Sequence, residues 1–359
     1  MTALLGCLAM AGAADYFVSP AGDDAHDGLT LERPLRTIQA GVDRLAPGDT
    51  LHLRAGVYRE QVVFPNSGTV AAPIVVRPYG EEEVTVTGCD PVEDWTLDDR
   101  DGNIWKAPMP WTLGMGRNQV FAGGNVRIET RHPNVPEENL EMYVAGLSPL
   151  WPTFAHLSLV DPKENPGRIV GKALEGFPEN HWKGACYYGV HYEGWAAQTG
   201  IVESSKDGEI IVGDRTRTWW FGSAYGGGYK PELGRGMLVG HRNALDQPGE
   251  WHWEDGFLHL MTENGERPEA VEAKRRQLAF DLSGREHIHL QGLNIHAASL
   301  RLDGSVHCRV DRCRMTYISH YTRHYDIGQI ENGKNTIKSG ETGIFVGGRH
   351  NAFTNCSVR

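Results

Sequence analysis

The chain lacks the cysteine spacing of a structural metal site. Its six cysteines include no Cys-x-x-Cys pair, so a zinc-ribbon arrangement is excluded. It also lacks a basic excess. Thirty-five Lys and Arg stand against 46 Asp and Glu, a net charge of -11, which argues against nucleic acid as the main partner because phosphate binding needs a cationic face. Net charge does not describe patches, so a local basic groove for an acidic sugar stays open. No apolar run is long enough to span a bilayer. Charged content is an ordinary 23%, unlike that of a disordered chain.

What is present points to β-structure. Forty-four Gly and 19 Pro in 359 residues suit many short strands and turns, with length enough for a large core in one elongated unit plus an insertion. Three stretches near the end read as copies: His287 to Ile295, His307 to Met315 and His350 to Val358. Each has apolar residues at its fourth, seventh and ninth positions; the seventh is Leu293, Cys313 and Cys356. The first two copies start 20 residues apart and the last two 43. Period-2 alternation inside a unit of about 20 residues marks a stacked β-solenoid. Strands stack about 4.8 Å apart, so Cys313 and Cys356 are expected as a ladder of free, buried thiols. His287, His307 and His350 also line up, and a ladder at a strand-entry turn is read as structural, with no metal. Leu302-Asp303-Gly304 is aligned with Phe345-Val346-Gly347 one coil on. A further circuit and a cap are expected beyond Val358, because a bare solenoid end exposes unpaired strand edges.

Residues 1–14 run apolar, then small, then abruptly polar at Asp15. That is the pattern of a secretory signal cleaved near Ala14, without the usual basic start. Leu4-Leu5-Gly6-Cys7 lies too close to Met1 for a lipoprotein box. The protein is therefore expected to be secreted, periplasmic or at the cell surface. In residues 15–90, Ile38, Val42 and Leu45 have helical spacing, with Thr37 near the start and Pro47-Gly48-Asp49 as the stop. Short strands are predicted at Tyr16 to Val18, Thr50 to Leu53, Gln61 to Phe64, Ile74 to Arg77 and Val84 to Thr87. A helix ahead of closely spaced strands suits a capped first coil. Residues 91–285 lose the coil period and hold all ten Trp; we read them as an inserted β-rich subdomain. Residues 286–359 resume the coils.

Several motifs resemble known proteins. Tyr16-Phe17-Val18-Ser19-Pro20-Ala21-Gly22, Pro34-Leu35-Arg36-Thr37-Ile38-Gln39-Ala40, Pro47-Gly48-Asp49-Thr50 and Ala55-Gly56-Val57-Tyr58-Arg59-Glu60 resemble the opening of right-handed parallel β-helix proteins of the pectin-lyase-like superfamily. Asn118 to Gly124, Glu129-Thr130-Arg131-His132-Pro133-Asn134, Gly249 to Leu260 and Ile337 to Gly348 are similar to β-helix glycoside hydrolases of the fucosidase/xylanase type. The resemblance implies an all-β, right-handed parallel β-helix with a capping helix, a polysaccharide or oligosaccharide as partner, and reacting groups on middle and later coils. A monomer is expected.

The surplus in the second copy falls in Thr316 to Thr342, which is dense in His, Tyr and carboxylates, and function concentrates on such loops. Candidate catalytic residues are Asp303, His320, His324, Asp326, Lys338 and Glu341. Glycoside hydrolysis needs two carboxyl groups, about 5 Å apart for retention. A lyase acting on a uronate polymer needs a Lys, Arg, His or Tyr base and a neutralising cation. Calcium is the candidate cation, with Asp23, Asp24 and Asp27 or the run Asp98 to Asn103 as weak ligand sets against the plainer reading of polar turns. Tyr321, Arg323, Tyr325, Trp219, Trp220, Trp251 and Trp253 are candidates for holding sugar, although a core role is the plainer reading for most of the Trp. A non-catalytic carbohydrate-binding or adhesion solenoid is the alternative from another class.

Overall fold

The structure is a computed structural model. It describes residues 12–98, 101–134, 136, 158–159, 167–191, 196–213, 235–319, 330–331, 334–335 and 343–359. Of residues 1–14, expected from the sequence as a secretory signal, only 12–14 are among these. The fold is all-β, with one five-residue α-helix and three short 3-10 turns among the described residues. None of its helices is long and apolar enough to cross a membrane. The described residues fall into two compact units: 12–89 with 276–319 and 343–359, and 90–275 with 330–331 and 334–335.

The first unit is three parallel sheets served in rotation by one chain. The first sheet has the strand order Asp15–Val18, Thr50–Leu53, Ile74–Pro78, Ile288–Gln291, Arg309–Asp311 and Ala352–Thr354. The second contains Gly56–Tyr58, Val84–Thr87, Asn294–His296, Arg314–Thr316 and Ser357–Val358. The third contains Val62–Val63, Leu278–Asp281, Ser299–Leu302 and Phe345–Val346. From Thr50 onward each circuit visits the first, second and third sheets in turn.

The register follows the repeat seen in the sequence. Leu290 pairs with Val310 and Val310 with Phe353, while Ile295 pairs with Met315 and Met315 with Val358. Inward positions stack into one core that runs from Val18 and Leu51 through Leu290 and Leu300 to Val310 and Met315. The third sheet differs by one residue from the sequence alignment: Arg301 pairs with Phe345 and Leu302 with Val346. Phe345 and Val346 are both apolar, so hydrophobic pattern alone does not choose between them.

The corners explain the copies' polar residues. His287, His307 and His350 have φ of 52, 56 and 58°, and Gly292, Arg312 and Asn355 have 65, 53 and 55°. These are left-handed bends at two equivalent positions per circuit, where Gly, Asn and His are comparatively tolerated. The three imidazoles stack face to face, with centroids 5.0 and 4.8 Å apart and planes within 7 and 10°. Ring lone pairs lie in the ring planes, so parallel stacked rings cannot aim them at one ion. Cys308 and Cys313 are buried and Cys356 half-buried, all as free thiols, and burial pushes the Cys313 thiol up to about 12.

The helix Ile38–Val42 starts at Thr37, whose hydroxyl accepts from the Ala40 amide at 3.1 Å. The Glu60 carboxylate accepts from the Ile38 and Gln39 amides at 2.8 and 3.0 Å, so donors without a partner inside the helix are met from another segment. Ile38 and Val42 enter the core.

The second unit is mostly antiparallel. A seven-stranded sheet runs Arg131–His132, Arg235–Val239, Cys186–His191, Ala196–Lys206, Glu209–Gly213, Arg168–Val170 and Ser158–Leu159. A five-stranded sheet includes Glu250–Glu254, Phe257–Met261 and Asp101–Pro108, and a four-stranded sheet includes Val120–Ala122 and Val271–Lys274. The hairpin from Phe121 to Val126 turns on Gly123 and Gly124, with φ of 58 and 78°, as a two-residue turn of this twist requires.

Candidate functional site

The wiring of the three parallel sheets singles out one corner. Passages from the first to the second sheet, and from the third to the first, are short. Passages from the second to the third sheet alternate: residues 59–61, then 88–277, then Ala297 and Ala298, then 317–344. Both long detours of the chain leave from this corner. A rigid stack that releases long loops at one edge is a common way to present reacting groups.

The described residues at the root of the second detour form a polar cluster. His296 and Thr316 are the last strand residues of successive circuits and pair across the sheet. The His296 Nδ1 lies 3.1 Å from the Thr316 hydroxyl oxygen, and the Tyr317 ring meets the imidazole edge-on at 5.6 Å. Ala297 and Tyr317 bend in the left-handed region, at 50 and 53°. Their amides donate to the carbonyls of Thr316 and Arg359, at 2.9 Å each. His296 was not singled out in the sequence. Its signal was the outward position, one past Ile295, at the end of a copy.

The residues expected from the sequence are distributed unevenly. His320, Tyr321, Arg323, His324, Tyr325, Asp326, Lys338 and Glu341, as well as Trp219 and Trp220, lie outside the described residues. Asp303 sits in the turn that leaves the third sheet, about half exposed and 3.5 Å from the Arg301 guanidinium. That is the far end of the strand from the corner just described. Trp251 is 1% exposed and its indole N–H donates to the Arg127 carbonyl at 3.0 Å. It packs protein rather than offering a ring face to sugar, because the five-stranded sheet turns it into the core. Trp253 is half-buried against the same core and donates to the Met109 carbonyl at 3.0 Å.

The carboxylates named as calcium candidates carry hydrogen bonds within the protein. Asp24 accepts from the Arg36 and Thr37 amides at 2.8 and 2.9 Å, Asp23 from the Ala25 amide at 2.9 Å and Asp27 from the Leu29 amide at 3.1 Å. Asp98 takes Arg242 and His259 on one carboxylate oxygen, at 3.0 Å each. Among the described residues no group of three or more His, Cys, Asp or Glu is placed to hold a metal.

The second unit brings together residues that sequence reasoning left apart. Asp98, Arg242 and His259 form a buried charged cluster. Glu250 is fully buried and accepts from the amides of Arg131, Asp246 and Gln247 at 3.2, 3.3 and 3.3 Å; burial raises its carboxyl to about 8. Lys274 is 1% exposed, with its ammonium 3.2 Å from the Gln119 side-chain oxygen. His132 stacks on Trp182 at 4.7 Å, and His181 meets the same indole edge-on at 4.5 Å. The segments Glu129 to Asn134 and Gly249 to Leu260, quoted separately in the sequence, are joined by the Arg131–Glu250 hydrogen bond and by pairing of Glu129 with Trp251.

No family profile matches the chain. Over 78 residues, 21% of this chain and 19% of the relative, it is 42% identical to pectate lyase PEL9 of Emericella nidulans. Over 78 residues it is 40% identical to the uncharacterized protein YwoF of Bacillus subtilis, 16% of that protein. The chain thus matches less than a fifth of the length of these curated relatives. A solved glycoside hydrolase superposes with a TM-score of 0.64 at 17% identity, over 85% of this chain and 63% of that one. At that identity the likeness is one of fold.

Proposed function

We propose that the three parallel sheets form a right-handed parallel β-helix, and that the chain belongs to an exported polysaccharide-processing enzyme acting as a glycoside hydrolase. The observation that carries the reading is the placement of both long detours at one corner of the stack. Retaining hydrolysis needs two carboxyl groups about 5 Å apart, and a loop held at a rigid corner can present such a pair. Asp326 and Glu341 on the second detour are the proposed acid pair; Asp303, at the far end of its strand and beside Arg301, is left out of it. His320, His324 and Lys338 are proposed to assist proton transfer. Tyr321, Arg323 and Tyr325 are proposed to hold the sugar.

A second reading is β-elimination on a uronate polymer, favoured by the 42% identity with a pectate lyase. Here Lys338, His320 or His324 would be the base. Reducing-sugar release and absorbance of unsaturated products, measured on a panel of neutral and acidic glycans, separate the two. The hydrolase reading expects sugar release without absorbance, and a loss of about 100-fold or more in kcat for Asp326→Asn or Glu341→Gln with the fold retained. Absorbance of unsaturated product would sink it in favour of the lyase. Binding without turnover on every glycan would leave a carbohydrate-binding solenoid.

A further inference from the structure

The second unit contains a cavity of about 420 Å³ that the proposed chemistry does not use. Its wall is the end of two strands, at Ala122 and at Leu260 with Met261; its polar groups are Arg127, Thr262, Glu263 and Glu269. Cavities of this size hold small molecules, and one or two sugar rings fit the lower part of the usual 300–1,000 Å³ range, roughly. Strand ends hold such a wall rigidly, which favours a preformed site.

Arg127 is the informative residue. One guanidinium nitrogen donates to the Ala122 carbonyl at 3.3 Å, and among the described residues that is its one hydrogen bond. A Cβ built at Gly249 would stand 3.9 Å from the other terminal nitrogen, so that nitrogen faces the bare backbone at the cavity's edge. Burial lowers the Arg127 pKa, against the pull of Glu263. The other donors of this half-buried guanidinium have no protein partner among the described residues and stay open to solvent, so a ligand rich in acceptors can take them. Glu263 and Glu269 are exposed acceptors on the same cavity and favour a ligand rich in donors. Leu260 and Met261 add an apolar surface. Hydroxyl groups on a ring with an apolar face satisfy all three demands at once.

Charge decides which sugar. One cation and two carboxylates sum to a net negative lining. A uronate carboxylate would gain from Arg127 but be repelled by both glutamates. A neutral sugar meets no such repulsion. We infer that this cavity is a subsite for a neutral sugar unit, held by Arg127, Glu263 and Glu269. The inference rests on the carbohydrate reading above and narrows it to neutral glycans.

Calorimetric titration of the whole protein with xylotetraose, cellotetraose and tetragalacturonate tests it. At least one neutral tetrasaccharide should bind. Arg127→Ala should weaken that binding about tenfold or more, and Glu263→Gln with Glu269→Gln, both on the surface, should weaken it too. Circular dichroism checks that each variant is folded. The site is overturned if no neutral tetrasaccharide binds at millimolar concentration, or if the folded variants bind as wild type. It is also overturned if tetragalacturonate binds best and tightens when the two glutamates are neutralised. Turnover measured on the same samples keeps the two readings apart. Arg127-dependent binding without turnover sinks the hydrolase alone, and turnover with binding indifferent to Arg127 sinks the subsite alone.

Discussion

A carboxyl group with no exposed surface must be either neutral or solvated by protein dipoles. Glu250 is pulled both ways. Burial raises its pKa to about 8, while backbone hydrogen bonds from Asp246, Arg131 and Gln247 lower it. The folded value lies above the unfolded one, so the group's contribution is complete in acid and is lost as pH rises from about 4.5 through about 8. We expect the unfolding free energy of the second unit, from urea denaturation, to fall between pH 6 and pH 9 by on the order of a few kcal/mol, and to fall much less in Glu250→Gln. An identical slope in the variant would refute the assignment. Nothing near Glu250 in sequence announces this role, because the amide of Arg131 that it accepts from lies 119 residues away. The Asp98–His259 contact, 161 residues apart, is equally invisible. Thr37, by contrast, was legible as a helix start, because a cap is a contact three residues long.

At the scale of elements, the corners govern the stack. Gly88 stands where the chain leaves the second sheet for the large detour. A Cβ there would lie 2.3 Å from the Ala297 carbonyl oxygen and 2.6 Å from that of Arg276, both backbone atoms with no room to yield. Gly304, at a bend with φ of 64°, has nothing within 4 Å of its Cβ position. Gly88→Ala should therefore cost about 3 kcal/mol or more through overpacking, and Gly304→Ala about 1 kcal/mol through backbone strain alone. Urea denaturation of the two variants checks the order; equal costs would mean that the close approach at Gly88 is relieved elsewhere. The strands themselves were readable. Val84–Thr87 and Thr50–Leu53 match their expected bounds, while Val62–Val63 is shorter than Gln61 to Phe64, since a two-residue strand is set by its neighbours rather than by its own pattern.

At the scale of the whole molecule, the large detour begins and ends at adjacent points. The Arg276 amide donates to the Gly88 carbonyl at 3.0 Å, and the chain rejoins the third sheet at Leu278. The parallel sheets share one core, and residues 90–275 have cores of their own around Trp182 and around Trp251. Replacing residues 90–275 with a short Gly-Ser turn should leave a β-rich protein that unfolds cooperatively, and the excised segment should show its own thermal transition. Failure of both pieces to fold would show that neither core suffices alone.

The amino-acid pattern was enough for the period of the copies, the pairing of Leu290 with Val310 and of Ile295 with Met315, and the breakdown of that period in the middle. Those properties come from alternation and turn chemistry, which act over a few residues and repeat. It was not enough for the corner that gathers both detours, for the arginine left with unmatched donors beside a cavity, or for the burial of Trp251 and Glu250. Those depend on which distant strands pack together, and packing places side chains from well-separated segments within one hydrogen bond of each other without leaving a mark on the local pattern.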